Sequence, residues 1–166
     1  MTDRIIFLDY DGVVNTPMWD EEGKKCRYNF PEHNKVNNFQ AVQWVSEFCQ
    51  KWGFSIVVTS TWRMDDNWRE CLINGGLREG IEIVDKTDDL AMTHKRQTRG
   101  HEIKKWLEEH PEVEHFIIID DIDDFLPEQK PFFIETTPVV GFNMNDFIKA
   151  RHIFIEDRAK KVNNIG

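Results

Sequence analysis

The feature that most constrains this chain is an apolar run near its start that ends in two aspartates, Asp9 and Asp11. Residues 5–8 are all apolar and Gly12 follows as a turn signal, which predicts a strand buried on both faces. Because side chains alternate along a strand, both aspartates should point the same way at its carboxyl end, where open α/β sheets bind ligands. Two such carboxylates repel unless a divalent cation or a shared proton relieves the charge. The pattern therefore predicts a ligand site, with a polar turn leaving the core as the alternative.

A second apolar run, residues 116–119, also ends in acids. The cluster consists of Asp120, Asp121, Asp123 and Asp124. An Asp-rich loop on its own can be a solvated turn that caps a helix. Two buried strands that both end in aspartates weaken that explanation, because neighbouring parallel strands bring their carboxyl ends to one point. Ligands that are all oxygen suit Mg²⁺ better than zinc, so the sequence predicts a magnesium site between the two strands.

Composition limits the classes of function. The 166 residues fit one domain, residues 1–166, and no apolar run is long enough for a membrane span or a secretory signal. Three cysteines without CxxC spacing indicate reduced thiols and a cytoplasmic location. The six histidines show no ligand spacing and are expected at the surface. The net charge of −9 argues against a broad nucleic-acid-binding face, although not against a small anionic substrate.

Strands and helices alternate along the chain, which favours an α/β fold with a mainly parallel sheet covered by helices. Residues 12–33 are irregular and are expected to form a flap over the site. Further strands are predicted over residues 54–58, 81–84, 116–119 and 132–134. Helices are predicted over residues 34–52, 65–74, 98–109 and 144–158, followed by a frayed tail, residues 160–166.

Three segments together resemble the haloacid dehalogenase (HAD) superfamily of aspartate-nucleophile phosphohydrolases. Asp9-Tyr10-Asp11-Gly12 matches the first signature of that family, Thr59 and Ser60 after an apolar strand match the second, and Asp120-Asp121 match the fourth. The run Ser60–Arg63, with residues 99–107 and the acid pair, looks more narrowly like the small HAD-like domains of RNA-repair proteins. The resemblance implies a three-layer, Rossmann-like sheet with helices on both faces and a minimal cap or none.

The third signature of the family is a lysine or arginine near a helix start, and here Lys95, Arg96 and Arg99 compete for it. Arg99 is preferred because it stands at the head of the predicted helix 98–109 and 21 residues before Asp120. Lys95 is the second choice. The alternative is that all three belong to an ordinary basic loop.

The resemblance implies a Mg²⁺-dependent phosphatase that forms an aspartyl-phosphate. Asp9 would be the nucleophile and Asp11 the general acid and base. The metal would be held by Asp9, the backbone carbonyl of Asp11, and Asp120 with Asp121 beside it. The Thr59 hydroxyl and the Ser60 backbone N–H would bind the phosphate. The remaining basic residues of the expected site are Arg99, which balances charge on the intermediate, and Arg63 and Lys95, which contact the substrate.

The short segments 12–33 and 64–97 leave no room for a large cap, which indicates an open site. The expected partner is a phosphorylated small molecule, such as a nucleotide, or a nucleic-acid end. Three other classes of protein are alternatives: a catalytically silent HAD-like interaction module, a phospho-receiver signalling domain and a metal-dependent nuclease. The spacing of Asp9 and Asp11 with the late acid pair disfavours the receiver, and the lack of a basic track disfavours the nuclease. The oligomeric state stays open.

Overall fold

A computed structural model describes residues 3–19, 25–27, 33–90 and 96–164 of the protein. Its strands are β1 (Arg4–Leu8), β2 (Met18–Trp19), β3 (Lys25–Arg27), β4 (Ser55–Val58), β5 (Ile83–Lys86), β6 (His115–Asp120) and β7 (Phe133–Glu135). Its helices are α1 (Phe39–Trp52), α2 (Trp68–Asn74), α3 (Arg99–Glu109) and α4 (Met144–Asn164). Five strands form one parallel sheet in the order β5-β4-β1-β6-β7, which confirms the predicted Rossmann-like class.

The central strand β1 fixes where the site lies. Leu8 pairs with Val58 of β4 on one side and with Ile119 of β6 on the other. The Asp9 N–H then donates to the Ile119 carbonyl (3.0 Å), and the Thr59 N–H donates to the Leu8 carbonyl (2.9 Å). The residues that follow these three strands therefore leave the sheet at the same edge and at the same level.

Both faces of the sheet are covered, as the apolar strand runs predicted. On one face Ile6 and Leu8 of β1 share a core with residues of α1 and α4, and this core includes Phe48 and Phe154. On the other face Ile5 and Phe7 of β1 pack with Ile103 and Trp106 of α3. The alternation of β1 side chains between these cores gives three layers and makes the sheet a buried, fixed platform for the loops at its edge.

The ends of two helices differ from the prediction. Helix α1 begins at Phe39 rather than near residue 34, because the Asn38 side chain caps it by accepting from the Ala41 N–H (3.0 Å). Helix α4 continues to Asn164, so residues 160–164 are helical and the predicted frayed tail was wrong there. Lys161 explains the extension, since its ammonium donates to the Glu114 carbonyl and pairs with Asp157 one turn earlier.

Within the described residues, the flap segment and the stretch between β4 and β5 hold only short elements. The described parts of the flap segment form a two-stranded antiparallel pair, β2 with β3. Residues 59–82 hold a 3₁₀ helix, Thr61–Met64, and the short helix α2. Lys95 lies outside the described residues, as do parts of the flap. No helix in the described ranges is long and apolar enough to cross a membrane.

Candidate active site

Three carboxylates meet at the carboxyl edge of the sheet. Asp9 follows β1, Asp120 ends β6, and Asp121 follows it; one oxygen from each lies within 4.8 Å of the other two. Asp9 is 5% exposed and Asp120 1% exposed, whereas Asp121 is half-buried. The group is therefore sheltered and reachable from one side, and its donors are all carboxylate oxygens, which suit a hard cation such as Mg²⁺.

Gly12 allows the two acidic loops to approach each other. Its φ of +77° is in the left-handed region that glycine adopts without cost. A Cβ atom at this position would lie 2.7 Å from the Cβ of Asp121, which is closer than side-chain atoms pack. The Gly12 carbonyl also accepts a hydrogen bond from the Thr136 hydroxyl (2.8 Å). A side chain at position 12 would thus displace Asp121 from the carboxylate cluster.

Among the described basic residues, Arg99 pairs with two carboxylates of the site. Its Nη1 atom contacts Asp9 Oδ1 at 3.2 Å and also pairs with Asp120 Oδ2. Asp124 fixes the start of α3, because its carboxylate accepts from the Arg99 N–H (3.3 Å) and its carbonyl accepts from the Gly100 N–H (3.0 Å). Arg96 lies exposed in the preceding turn. The structure thus places Arg99, and not Arg96, against the carboxylates, and the role of Arg99 as the third signature stays a prediction.

Burial dominates the electrostatics of the carboxylate cluster. It raises the pKa of Asp9 from 3.8 to about 7; Arg99 opposes the shift and Asp120 adds to it. Burial also raises the pKa of Asp120 and of Asp121. Burial alone would lower the pKa of Arg99, but Asp9 and Asp120 outweigh it and raise the value. One guanidinium thus faces three carboxyl groups, and a divalent cation would relieve the remaining charge.

Asp11 stands apart from this cluster. Its Oδ1 accepts from the Asn15 amide (2.6 Å) and its Oδ2 accepts from the Trp62 indole N–H (3.2 Å). Burial raises the pKa of Asp11, while these two hydrogen bonds work against the rise. A carboxyl group with a raised pKa, held by neutral donors, is suited to giving and taking a proton.

Two of the residues that hold Asp11 were not predicted to do so. Trp62 is buried against Tyr10, with ring centroids 5.7 Å apart, and its indole N–H also reaches Asp11. Asn15 was not singled out, although an amide four residues after an acid can bond it within one turn. The side-chain amide oxygen of Asn15 in turn accepts a hydrogen bond from the Asn37 backbone N–H (3.2 Å).

Thr59 presents a hydroxyl without a partner. Thr59 is 1% exposed, and in the described structure its Oγ1 makes no hydrogen bond. A buried unpaired polar atom costs about 1–3 kcal/mol, so it is uncommon unless a ligand satisfies it. The Ser60 hydroxyl is already engaged, since it accepts from the Trp62 N–H (3.3 Å) at the start of the 3₁₀ helix. Of these two loop residues, Thr59 is therefore the one whose hydroxyl is available to a ligand.

The prediction that Arg63 contacts the substrate needs correction. Its side chain is only 4% exposed and pairs with Glu102 at 2.9 Å. Its guanidinium also donates to the backbone carbonyls of Thr59 (2.6 Å) and Ser60 (2.9 Å). These bonds turn Arg63 inward, beneath the loop that it was expected to project from. Of the two acids that follow Asp121 in the loop after β6, Asp123 and Asp124, Asp123 is exposed and pairs with Lys130.

The comparison with protein families agrees with this geometry. Residues 5–147 match the family described as the HAD domain in Swiss Army Knife RNA repair proteins. No curated protein matches the sequence. The family match begins within β1 and ends within α4, so it includes every carboxylate of the site, Arg99 and Thr59. The chain belongs to this family of HAD domains.

Proposed function

We propose that the protein is a Mg²⁺-dependent phosphohydrolase that cleaves a phosphomonoester through an aspartyl-phosphate on Asp9. The observation that carries the proposal is the meeting, at one sheet edge, of three clustered carboxylates, a separate carboxyl group at Asp11 and the unpaired hydroxyl of Thr59. Membership of the HAD family supports the reaction class.

Asp9, Asp120 and Asp121 would hold the metal, with the backbone carbonyl of Asp11 as a further oxygen donor. The cluster fits a magnesium ion because its donors are oxygens, lie close together and carry more negative charge than Arg99 balances. When bound, Mg²⁺ supplies positive charge that lets a phosphate dianion approach the Asp9 carboxylate.

In the first step, a carboxylate oxygen of Asp9 attacks phosphorus and the bond from phosphorus to the leaving oxygen breaks. Asp11 gives its proton to that oxygen, and the raised pKa of Asp11 increases the protonated fraction available at neutral pH. Asn15 and Trp62 hold the Asp11 carboxyl group in place during the transfer.

In the second step, Asp11 takes a proton from a water molecule that attacks the same phosphorus atom. The bond from phosphorus to Asp9 breaks, inorganic phosphate leaves, and both carboxyl groups return to their starting states. The Thr59 hydroxyl donates to a phosphate oxygen throughout, which satisfies its unpaired atom. Arg99, already at 3.2 Å from Asp9, balances the charge that gathers there.

The substrate class that we favour is a nucleotide or a phosphorylated nucleic-acid end. The description of the family refers to RNA repair, and in the described residues the flap segment holds a short strand pair and residues 59–82 hold a 3₁₀ helix and one short helix, with no large cap. The test is phosphate release from an aryl phosphate, mononucleotides, and oligonucleotides with a 3′- or 5′-phosphate, each with and without Mg²⁺.

Asp9→Asn is the decisive variant, and Asp123→Asn is its matched control because Asp123 is an exposed acid of the same edge, paired with Lys130. We expect Mg²⁺-dependent turnover in the wild type and the control and none in Asp9→Asn. Equal turnover in Asp9→Asn would refute the aspartyl-phosphate mechanism.

A catalytically silent HAD-like module is the second candidate. The observation in its favour is the Arg99 guanidinium, which already bridges Asp9 and Asp120 as a built-in cation. A wild-type protein that neither binds Mg²⁺ nor releases phosphate from any of these substrates would favour that candidate.

A further inference from the structure

We propose that Arg63 and Glu102 are positioning residues, which hold the phosphate-binding loop Thr59–Ser60 in register with helix α3. The inference rests on the proposed function and goes beyond it, because both residues act through the backbone of the loop. Arg63 lies in the 3₁₀ helix that follows the loop, and Glu102 lies in the first turn of α3.

The Arg63 guanidinium donates hydrogen bonds to backbone carbonyls just after two strands, β4 and β5. Its Nη1 donates to both carbonyls of the loop, Thr59 at 2.6 Å and Ser60 at 2.9 Å. Its Nε donates to the carbonyl of Thr87, which directly follows β5, at 2.9 Å. Hydrogen bonds from an ionised donor are shorter and stronger than neutral ones, so this fork restrains the backbone from which the Thr59 hydroxyl projects.

Glu102 connects this fork to the rest of the site. Its Oε2 accepts from Arg63 Nη2 (2.9 Å), and its Oε1 accepts from the Leu90 N–H (3.1 Å). Glu102 follows Arg99 by three residues on α3, so one helix turn presents both side chains toward the sheet edge. One helix therefore holds the phosphate-binding loop through Glu102 and contacts the Asp9 and Asp120 carboxylates through Arg99.

The expected effect of this pair is on geometry more than on stability. A buried ion pair is often no more stabilising than apolar residues of the same size, because desolvation offsets the attraction. A displacement of about 1 Å of a group that binds the reacting phosphate, in contrast, can cost about 10²-fold in rate. Lysine is a poor substitute for Arg63, since one ammonium cannot reproduce a planar fork that serves a carboxylate and four backbone carbonyls, the fourth being that of Asp88.

The test compares Arg63→Lys with Arg78→Lys. Arg78 is the matched control because it also pairs with a glutamate, Glu47 at 2.7 Å, and donates to the Gln43 side chain (2.9 Å), but it packs on α1 away from the carboxyl edge. Two affinities are measured for each folded protein: that for Mg²⁺ alone and that for inorganic phosphate in the presence of Mg²⁺. We expect Arg63→Lys to lose at least ~10-fold in phosphate affinity with Mg²⁺ affinity unchanged, and Arg78→Lys to change neither.

A double variant, Arg63→Met with Glu102→Leu, guards against misfolding of the single one. It removes both charges together, so no unpaired charge is left in the interior. We expect it to fold, to lose phosphate affinity as Arg63→Lys does, and to show faster amide hydrogen exchange over residues 59–63 than the wild type. Normal phosphate affinity in Arg63→Lys, or in the folded double variant, would overturn the inference.

Failure of the proposed function has a different signature. A wild-type protein that does not bind phosphate with Mg²⁺ refutes the proposed function and takes the positioning role with it. A wild type that binds phosphate, together with an Arg63→Lys variant or a folded double variant that binds it equally well, refutes the positioning role alone.

Discussion

Substitution of the nucleophile candidate should make the metal-free protein more stable. Asp9 is buried beside Asp120, and Arg99 is shared between the two, so ionisation of Asp9 places an incompletely compensated charge in the interior. Asp9→Asn keeps a similar shape without that charge. We expect Asp9→Asn to exceed the wild type in stability at alkaline pH in the absence of metal, and to lose the stabilisation that Mg²⁺ gives the wild type.

The magnitude follows from the raised pKa of Asp9, about 7 against an ordinary value of 3.8. Because the folded value is the higher one, Asp9 contributes stability that is complete below its ordinary pKa and is lost as pH rises through about 7. Roughly two pKa units of this contribution disappear between pH 5 and pH 8, which at about 1.4 kcal/mol per unit sets a ceiling near ~3 kcal/mol. The pKa values of Asp11, Asp120 and Asp121 are raised as well, so they act with the same sign.

The assay is urea unfolding followed by circular dichroism, at about pH 5 and about pH 8, with a chelator or with Mg²⁺. The wild type should lose stability between the two pH values without metal and regain it with Mg²⁺. Asp9→Asn should be about 1–3 kcal/mol more stable than the wild type at the higher pH and indifferent to Mg²⁺. Wild-type stability that is equal at both pH values, with no gain in Asp9→Asn, would refute the reasoning about buried charge. Mg²⁺ stabilisation that persists in Asp9→Asn would refute the metal assignment.

Three further substitutions test single contacts of the site. Gly12→Ala should lower the free energy of unfolding by about 1–3 kcal/mol or more and weaken Mg²⁺ binding, because the new Cβ combines a positive φ with a collision against Asp121. Gly80→Ala is the control, since Gly80 also has a positive φ but open space around it. It should cost less stability and leave Mg²⁺ binding intact. Thr59→Val should leave the free energy of unfolding unchanged or raise it by about 1 kcal/mol, since the hydroxyl has no partner within the described residues. In a phosphate-release assay, its kcat/KM should fall. A large loss of stability would show that the fold needs the hydroxyl. Trp62→Phe removes a donor that favours the ionised form of Asp11, so the pKa of Asp11 should rise and the alkaline limb of the pH–rate profile should move to higher pH; an unmoved limb would contradict the role given to the indole N–H.

The sheet and its acidic edge were predictable because both depend on local patterns. Four apolar residues before Asp9, and four before Asp120, are long enough to specify strands buried on both faces. Parallel pairing of β1 with β6 then places their final residues side by side, whatever the sequence between them. The position of Arg99 at the head of a helix was also readable, because Thr98 and the periodic residues after it mark the helix start.

Contacts between distant segments could not be predicted from local sequence patterns. An arginine after a strand has the same local sequence whether it faces a substrate or turns inward. Arg63 turns inward because it pairs with Glu102, which lies 39 residues later in the chain. His115 was expected at the surface with the other histidines but is buried against Asp157, which is 42 residues away. In both cases the polar group is stabilised by a partner that only the folded chain supplies.

The difference between Asp9 and Asp11 shows how the fold assigns roles that the motif alone leaves equal. The two carboxyl groups are separated by one residue, yet Asp9 faces charged neighbours, Arg99 and Asp120, whereas Asp11 faces the neutral donors Asn15 and Trp62. Burial raises the pKa of both carboxyl groups, so a cation held beside Asp9 is what would keep the nucleophile anionic, while Asp11 lies outside the carboxylate cluster and keeps its proton.

Asp11→Asn tests that separation directly. It keeps the backbone carbonyl at position 11 and leaves the Asp9, Asp120 and Asp121 carboxylates unchanged, so Mg²⁺ affinity should stay within about threefold of the wild type while turnover of an alkyl phosphate is lost. An aryl phosphate, whose leaving group needs less protonation, should retain more of its first step, and phosphate should remain on Asp9 because the second step lacks its base. Loss of Mg²⁺ binding in Asp11→Asn would instead place this carboxylate among the metal ligands, and the two aspartates would then share one role.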